Sequence, residues 1–230
     1  MLDRDWVIFV SATASGNAAS PFSRRAPLAL LAAANIMAKY PVNPERVFVA
    51  GLSGGSRVAM RLALGYPDLF AGALLNAGSD PIGEGDPALP PADLFARFQA
   101  SSRLVYVTGA RDFAVLDKDV ASQQSMREGC VFNVDDEVTP LVGHEAAGSG
   151  ALARALDALA KPARPDPKRL AACRARMEKD LAAKLAQAEA LIAGGKRDEA
   201  RKRLIEIDRR FGGLAAPRSI ELAAKAGLDG

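Results

Sequence analysis

With 230 residues, 49% of them hydrophobic and 25% charged, and a formal charge of +3, the chain has room for one full domain and an appendage. That composition excludes a disordered or low-complexity protein, and no apolar run reaches the roughly 18 residues that a membrane span needs. The charge is uneven: residues 1–160 carry 13 Lys/Arg against 17 Asp/Glu, and residues 161–230 carry 17 against 10. In the basic tail Lys and Arg alternate with Glu and Asp at helical spacing, the pattern of a solvated helix face, so no nucleic-acid partner is expected. The start, Met1-Leu2-Asp3-Arg4-Asp5, is too charged for a signal peptide, and the apolar run after it is too short. A cytoplasmic protein follows, or an exported one if the N-terminus is truncated. Cys130 and Cys173 are too few for a disulfide framework and lack metal-ligand spacing. One bridge between them, and with it the redox compartment, stays open. No metal or cofactor is expected.

In chain order, Trp6-Val7-Ile8-Phe9-Val10 reads as a buried strand and Ser11 to Ser20 as a loop of small residues. Residues 26–39 are an apolar helical stretch ending near Tyr40-Pro41. Val47 to Ala50 is the next strand, and Ser53 to Tyr66 the helix after it. Further strands are expected at Ala71 to Ala77, Leu104 to Thr108 and Val131 to Val134. Strands separated by helices imply a mostly parallel sheet with helices on both faces, an α/β architecture. Right-handed crossovers then place the loops that follow the strands on one edge, where chemistry would sit. Pro81 to Pro91 is too rich in Pro and Gly for regular structure; it reads equally as a pocket wall or lid and as an ordinary surface loop.

Lys161-Pro162-Ala163-Arg164-Pro165-Asp166-Pro167 marks a composition break and reads as a stiff linker between residues 1–160 and 168–230. Beyond it Leu170, Cys173, Met177, Leu181, Leu185, Ala188 and Ile192 recur at spacings of three and four, as on one face of a long helix ended by Gly194-Gly195. Ala200, Leu204, Ile207 and Phe211 mark a second helix ended by Gly212-Gly213, and Pro217 opens a third. The segment resembles half of a tetratricopeptide array. One unit cannot form a solenoid, so a helical extension for packing or homodimerisation is expected.

The chemistry concentrates at Gly51-Leu52-Ser53-Gly54-Gly55, between a strand and a helix. Gly-x-Ser-x-Gly in that setting lifts a serine out of its backbone for attack, and a side chain at either flanking glycine would be expected to crowd the turn. A serine hydroxyl needs an adjacent base, itself oriented by a carboxylate. His144 is the single histidine, in a loop after the last strand and before a helical pattern at 149–159. For the acid, Asp112 follows the Leu104 strand and is preferred to Asp80, whereas Asp135, Asp136 and Glu137 read as a solvated acidic turn. The backbone N–H of Gly54, opening the helix, would be one oxyanion donor, with help from the helix dipole.

The stretch from Asn43-Pro44-Glu45-Arg46-Val47 through Ser53 to Tyr66-Pro67-Asp68-Leu69-Phe70 resembles the α/β-hydrolase superfamily, in its polyhydroxybutyrate-depolymerase and feruloyl-esterase-like branch. Val105 to Phe113 and Gly143-His144-Glu145 are similar to that branch's acid and histidine loops, so the resemblance covers about residues 42–160. It implies a Ser53–His144–Asp112 triad, an acyl-enzyme, and a small-molecule or polymer ester as substrate. The family's strand ending in an oxyanion loop, often with a His-Gly pair, would precede Trp6 to Val10, and no His-Gly pair is present. Either early strands are missing, or the second donor comes from elsewhere. The loop from Thr13 to Asn17 is then the nearest candidate, with Thr13, Asn17 and Phe113 as candidate substrate contacts. The alternative is a catalytically impaired hydrolase fold retained for binding through its basic helical tail.

Overall fold

The computed structural model describes residues 8, 10, 11 and 24–228. Strands β1 (Phe48–Leu52), β2 (Gly72–Asn76), β3 (Arg103–Gly109) and β4 (Val134–Thr139) form a parallel sheet in that spatial order. Leu52 pairs with Asn76 and Asn76 with Val107, so the strands' carboxyl ends share one edge. The strand expected at 6–10 falls mostly outside the described residues; Ile8 and Val10, which are described, lie in no strand.

When consecutive strands are also spatial neighbours, right-handed crossovers put every connecting helix on the same face. Accordingly α2 (Gly54–Gly65), α3 (Ala92–Ser101) and α4 (Phe113–Glu128) cover one face. There Met60, Leu64, Phe95, Phe98 and Met126 pack on Leu75, Leu104 and Tyr106. Alternate strand residues point the other way. Leu74, Val105 and Val107 meet Ala151, Ala155 and Leu159 of α5 (Ser149–Leu159). Each Leu or Phe buried in this way contributes about 2 kcal/mol. Helix α1 (Ala26–Lys39) lies against α2 through Ala26, Ala29, Leu30 and Ala33, which cover Val58, Leu62 and Phe70.

The last strand corrects an expectation. It runs over Val134–Thr139 rather than 131–134, and Asp135, Asp136 and Glu137 lie on it instead of in a solvated turn. Two of these charges are paired from other elements: Arg103 of β3 with Asp135, and Arg154 of α5 with Glu137. Acidic side chains along an edge strand also discourage further strand addition. The apolar Val131, which suggested a strand, is instead buried in the core just before it.

The Pro81 to Pro91 segment is irregular, yet Ile82 and Leu89 enter the main core. Residues 161–166 run along the sheet, where Arg103 donates to the carbonyls of Lys161 and Pro162. Asp166 then caps α6 (Pro167–Ala193), its carboxylate accepting from the Arg169 N–H at 2.8 Å. Helices α6, α7 (Arg197–Phe211) and α8 (Arg218–Ala226) bury Ala188, Ala200, Leu204, Ile207, Phe211 and Leu222 among themselves. Leu214 carries that cluster onto the main core, Met177 of α6 packs on the same core, and Arg174 donates to Gln99 and to the Ala96 carbonyl of α3. Cys130 and Cys173 form a disulfide, with their Cα atoms 5.7 Å apart. No helix among the described residues is long and apolar enough to cross a membrane.

Candidate active site

Strand β1 delivers the chain to the carboxyl edge at Leu52, and α2 begins two residues later. Ser53 absorbs the whole reversal in one residue, at φ 55° and ψ −117°. For a non-glycine residue that conformation is strained and persists only where its surroundings hold it. Here the Ser53 N–H donates to the Asn76 carbonyl at 2.8 Å, and the Ser53 carbonyl accepts from the Ser56 N–H at 3.0 Å. Gly51 is a steric necessity, because a Cβ there would stand 2.2 Å from the Gly55 carbonyl carbon. Gly55 is not: among the described residues a Cβ there meets nothing within 4 Å. The expectation that both glycines relieve crowding therefore holds for one, since the turn folds position 51 inward and leaves position 55 on the open side of the helix.

Three chain segments meet over this turn. Asp112 follows β3, His144 follows β4, and both come to the edge where Ser53 stands. His144 Nε2 lies 2.9 Å from Ser53 Oγ, and His144 Nδ1 lies 2.5 Å from Asp112 Oδ2. The Asp112 side chain is 11% exposed and the imidazole 47%, so the carboxylate is sheltered while the base faces solvent. Asp80 stands elsewhere, 3.5 Å from guanidinium nitrogens of both Arg57 and Arg61. Gly54 opens α2, so intrahelical bonding leaves its N–H unused. Phe113 directly follows Asp112 and is 71% exposed. Leu52, which precedes Ser53, and Leu141, in the loop that carries His144, are exposed too. Thr13 and Asn17 lie outside the described residues.

The histidine loop is held down by groups that sequence reasoning missed. Asn76, the last residue of β2, is buried and bonds in three directions. Its backbone carbonyl takes the Ser53 N–H, its amide nitrogen donates to the Val107 carbonyl at 2.9 Å, and its amide oxygen accepts from the Ala147 N–H at 2.8 Å. It thus ties the nucleophile turn to the loop that carries His144. A visible signal was present: a polar residue closes the otherwise apolar run Gly72-Ala73-Leu74-Leu75. Gly109 lets the same loop pass closely over β3, because a Cβ there would come 2.4 Å from the carbonyl oxygens of Val142 and Gly143.

Behind Asp112 sits a second carboxylate, Asp119, which is buried and accepts from the hydroxyls of Ser79 and Thr108. Burial pushes its carboxyl above the usual range, against the pull of those two hydroxyls, and the nearby Asp112 charge adds to the rise. Burial likewise raises the Tyr106 phenol, which bonds Ser122 at 2.9 Å.

A serine, an imidazole and a carboxylate in this order and geometry can perform nucleophilic acyl transfer. A 43-residue stretch is 46% identical to the poly(3-hydroxybutyrate) depolymerase of Ralstonia pickettii, covering 19% of this chain and 9% of that protein. A 44-residue stretch is 46% identical to poly(3-hydroxyalkanoate) depolymerase C of Paucimonas lemoignei, covering 19% of this chain and 11% of that one. The matched segment thus spans about a tenth of these relatives' length. Among solved structures, a variant of SOBER1 from Arabidopsis thaliana is 17% identical with a TM-score of 0.42, over 58% of this chain and 61% of that one. A ferulic acid esterase is 22% identical with a TM-score of 0.38, over 49% and 50%. The family model for esterase PHB depolymerases matches residues 3–122, more than half of the chain, taking in both Ser53 and Asp112. The chain belongs to the esterase PHB depolymerase family.

Proposed function

We propose that the chain is a carboxylic-ester hydrolase that works through an acyl-enzyme on Ser53. The observation that carries this reading is the unbroken hydrogen-bond chain from Ser53 Oγ through His144 to Asp112. Ser53 Oγ attacks the ester carbonyl carbon while its proton passes to His144 Nε2. Asp112 fixes the imidazole with Nδ1 protonated and stabilises the cation that forms. The oxyanion is met by the Gly54 N–H at the positive end of α2, a donor worth about 3 kcal/mol in comparable sites. The leaving alkoxide takes the proton back from His144. Water, deprotonated by the same imidazole, then frees the acid and regenerates Ser53.

The names of the two depolymerases suggest esters of short hydroxy acids as the substrate class. The exposed apolar side chains of Leu52, Phe113 and Leu141, close in sequence to Ser53, Asp112 and His144, support it, since they would cover the methyl and methylene groups of such an ester. The Cys130–Cys173 bridge supports maturation in an oxidising compartment.

A fluorophosphonate probe should add to Ser53 and not to Ser53→Ala, as read by intact mass and peptide mapping. Turnover of p-nitrophenyl butyrate should fall at least about 10⁴-fold in kcat in Ser53→Ala and in His144→Ala. Folded wild-type protein that shows neither adduct nor turnover would sink the proposal.

A further inference from the structure

Beside the triad lies a cavity of about 340 Å³ lined by Arg25, Gly54, Arg57, Val58, Arg61, Asp80 and Asp86. Arg57 and Arg61 are four residues apart on α2 and therefore project from one side of it. Arg25, immediately before α1, closes over the same side. Its Nη1 stands 3.3 Å from the place a Cβ on Gly54 would occupy, so the cavity reaches the residue after the nucleophile.

The partners of these three guanidiniums differ. Arg61 is engaged by Asp86 through two bonds of 2.5 and 2.9 Å. That pairing holds the Asp86 carboxyl below its usual range. Asp80 stands between Arg57 and Arg61 and is ion-paired with each at 3.5 Å. The Nε atoms of Arg25 and Arg57 are buried without a hydrogen-bond partner among the described residues, and that of Arg57 faces Asp80 Oδ1 only at 3.5 Å. Buried donors on a charged group are costly to leave unmet. Among the described residues the lining carries three guanidiniums and two carboxylates. An arginine fork matches the planar, two-oxygen geometry of a carboxylate, which would satisfy those donors.

We propose that this cavity is a carboxylate subsite: the ester substrate carries a free carboxylate, which seats between Arg25 and Arg57 while the scissile carbonyl lies at Ser53. The proposal rests on the esterase reading and names the substrate's second anchor. Three residues of helix, about 4.5 Å of rise, separate Gly54 from Arg57. A short spacer between ester and carboxylate therefore suffices, as in a linear dimer of a short hydroxy acid, whose carboxylate sits a few bonds from the ester oxygen. The enzyme would then work from the acid end of an oligomer.

The test uses Ser53→Ala protein, so that binding is read without turnover. Calorimetry at pH 7 and low salt compares the linear 3-hydroxybutyrate dimer as free acid with its methyl ester. The free acid should bind at least about tenfold tighter, and added sodium chloride should shrink that ratio. Arg25→Gln and Arg57→Gln, each checked for an unchanged circular dichroism spectrum, should bring the ratio to within about twofold of parity. Equal binding of the two forms, binding of neither, or a ratio that survives both substitutions would overturn the subsite. The failures stay distinguishable: loss of fluorophosphonate labelling in the wild type strikes the esterase reading, whereas a labelled Ser53 with no preference strikes only this one.

Discussion

The carboxyl edge of the sheet and the C-terminal helices hold their residues in place by different means. At the edge, backbone grips backbone: Ser53 N–H on the Asn76 carbonyl, Arg111 N–H on the Val142 carbonyl, and Gly109 with no room for a methyl group under the histidine loop. In α6 to α8, a buried stripe of Leu204, Ile207, Phe211 and Leu222 does the holding, and the charged pairs lie on the outside. One covalent point, Cys130 to Cys173, joins those helices to the sheet domain, at the entry to β4 and away from the carboxyl edge. Geometry held by backbone should therefore fail on the addition of a single carbon. Geometry held by a stripe should ignore surface charge and depend on burial and the cross-link.

The cross-link gives the largest expected effect on stability. It closes a loop with a sequence separation of 43, for which the chain-entropy treatment gives about 4 kcal/mol. The Cys130→Ser, Cys173→Ser double variant should lose roughly that much in urea unfolding, yet keep its kcat per folded molecule at 25 °C, because no triad residue touches the bridge. An unchanged midpoint would show that the stripe alone anchors the helices.

Next come the two glycines of the nucleophile turn, which separate backbone crowding from mere motif membership. Gly51→Ala places a Cβ 2.2 Å from backbone that cannot yield and should cost about 3 kcal/mol. Gly55→Ala meets open space in a helix and should gain up to about 1 kcal/mol. Thermal melts of the two variants decide it, and equal destabilisation would refute the distinction.

Asn76→Ala should follow. It strands the Ala147 N–H and leaves the Val107 carbonyl with the Ala77 N–H alone, at a cost of about 2 kcal/mol in stability. It also frees the loop that aims His144, and misplacement on the scale of 1 Å can cost about 100-fold in rate. The informative readout is kcat, which should fall while KM for a neutral ester changes little. A stability loss with kcat intact would make Asn76 structural only.

How much of this could be read in the sequence depended on how far apart the cooperating residues are. That Ser53, His144 and Asp112 would meet at one edge was legible because a turn motif, a single histidine and the strand order each narrowed the choice. The stripes of α6 and α7 were legible because their spacing repeats locally. Strand β4 was misplaced because the buried Val131 looks like a strand and the acids after it look like a turn. The arginines that pair those acids come from 32 and 17 residues away. Helix α4 hides its inward face for a related reason: two of its buried residues, Asp119 and Ser122, are polar and satisfied from β3 and from the segment after β2. The arginine cavity was invisible, since its lining joins the start of α1, the face of α2 and the Pro-rich segment. That segment, read equally as pocket wall or plain loop, contributes Asp86 to the wall.

The smallest effect is the most discriminating for the helices. Arg218 reaches Glu189 of α6 at 2.5 Å and Glu221 of its own helix at 2.7 Å, which by geometry alone looks like a clamp between α6 and α8. The Arg218 guanidinium holds the Glu189 carboxyl below its usual range. Any stabilisation from it would thus be present above the ordinary carboxylate range and lost as pH falls through the lowered value. Both side chains stand in solvent, however, where water and salt screen the attraction and two long side chains lose freedom in holding the contact. Beneath them Leu222 is 1% exposed and already fastens α8 to its neighbours. Glu189→Gln should therefore leave the melting temperature unchanged within error at pH 7, in low and in high salt. A drop of several degrees that vanishes in high salt would mean that charge, and not the buried stripe, holds the extension together.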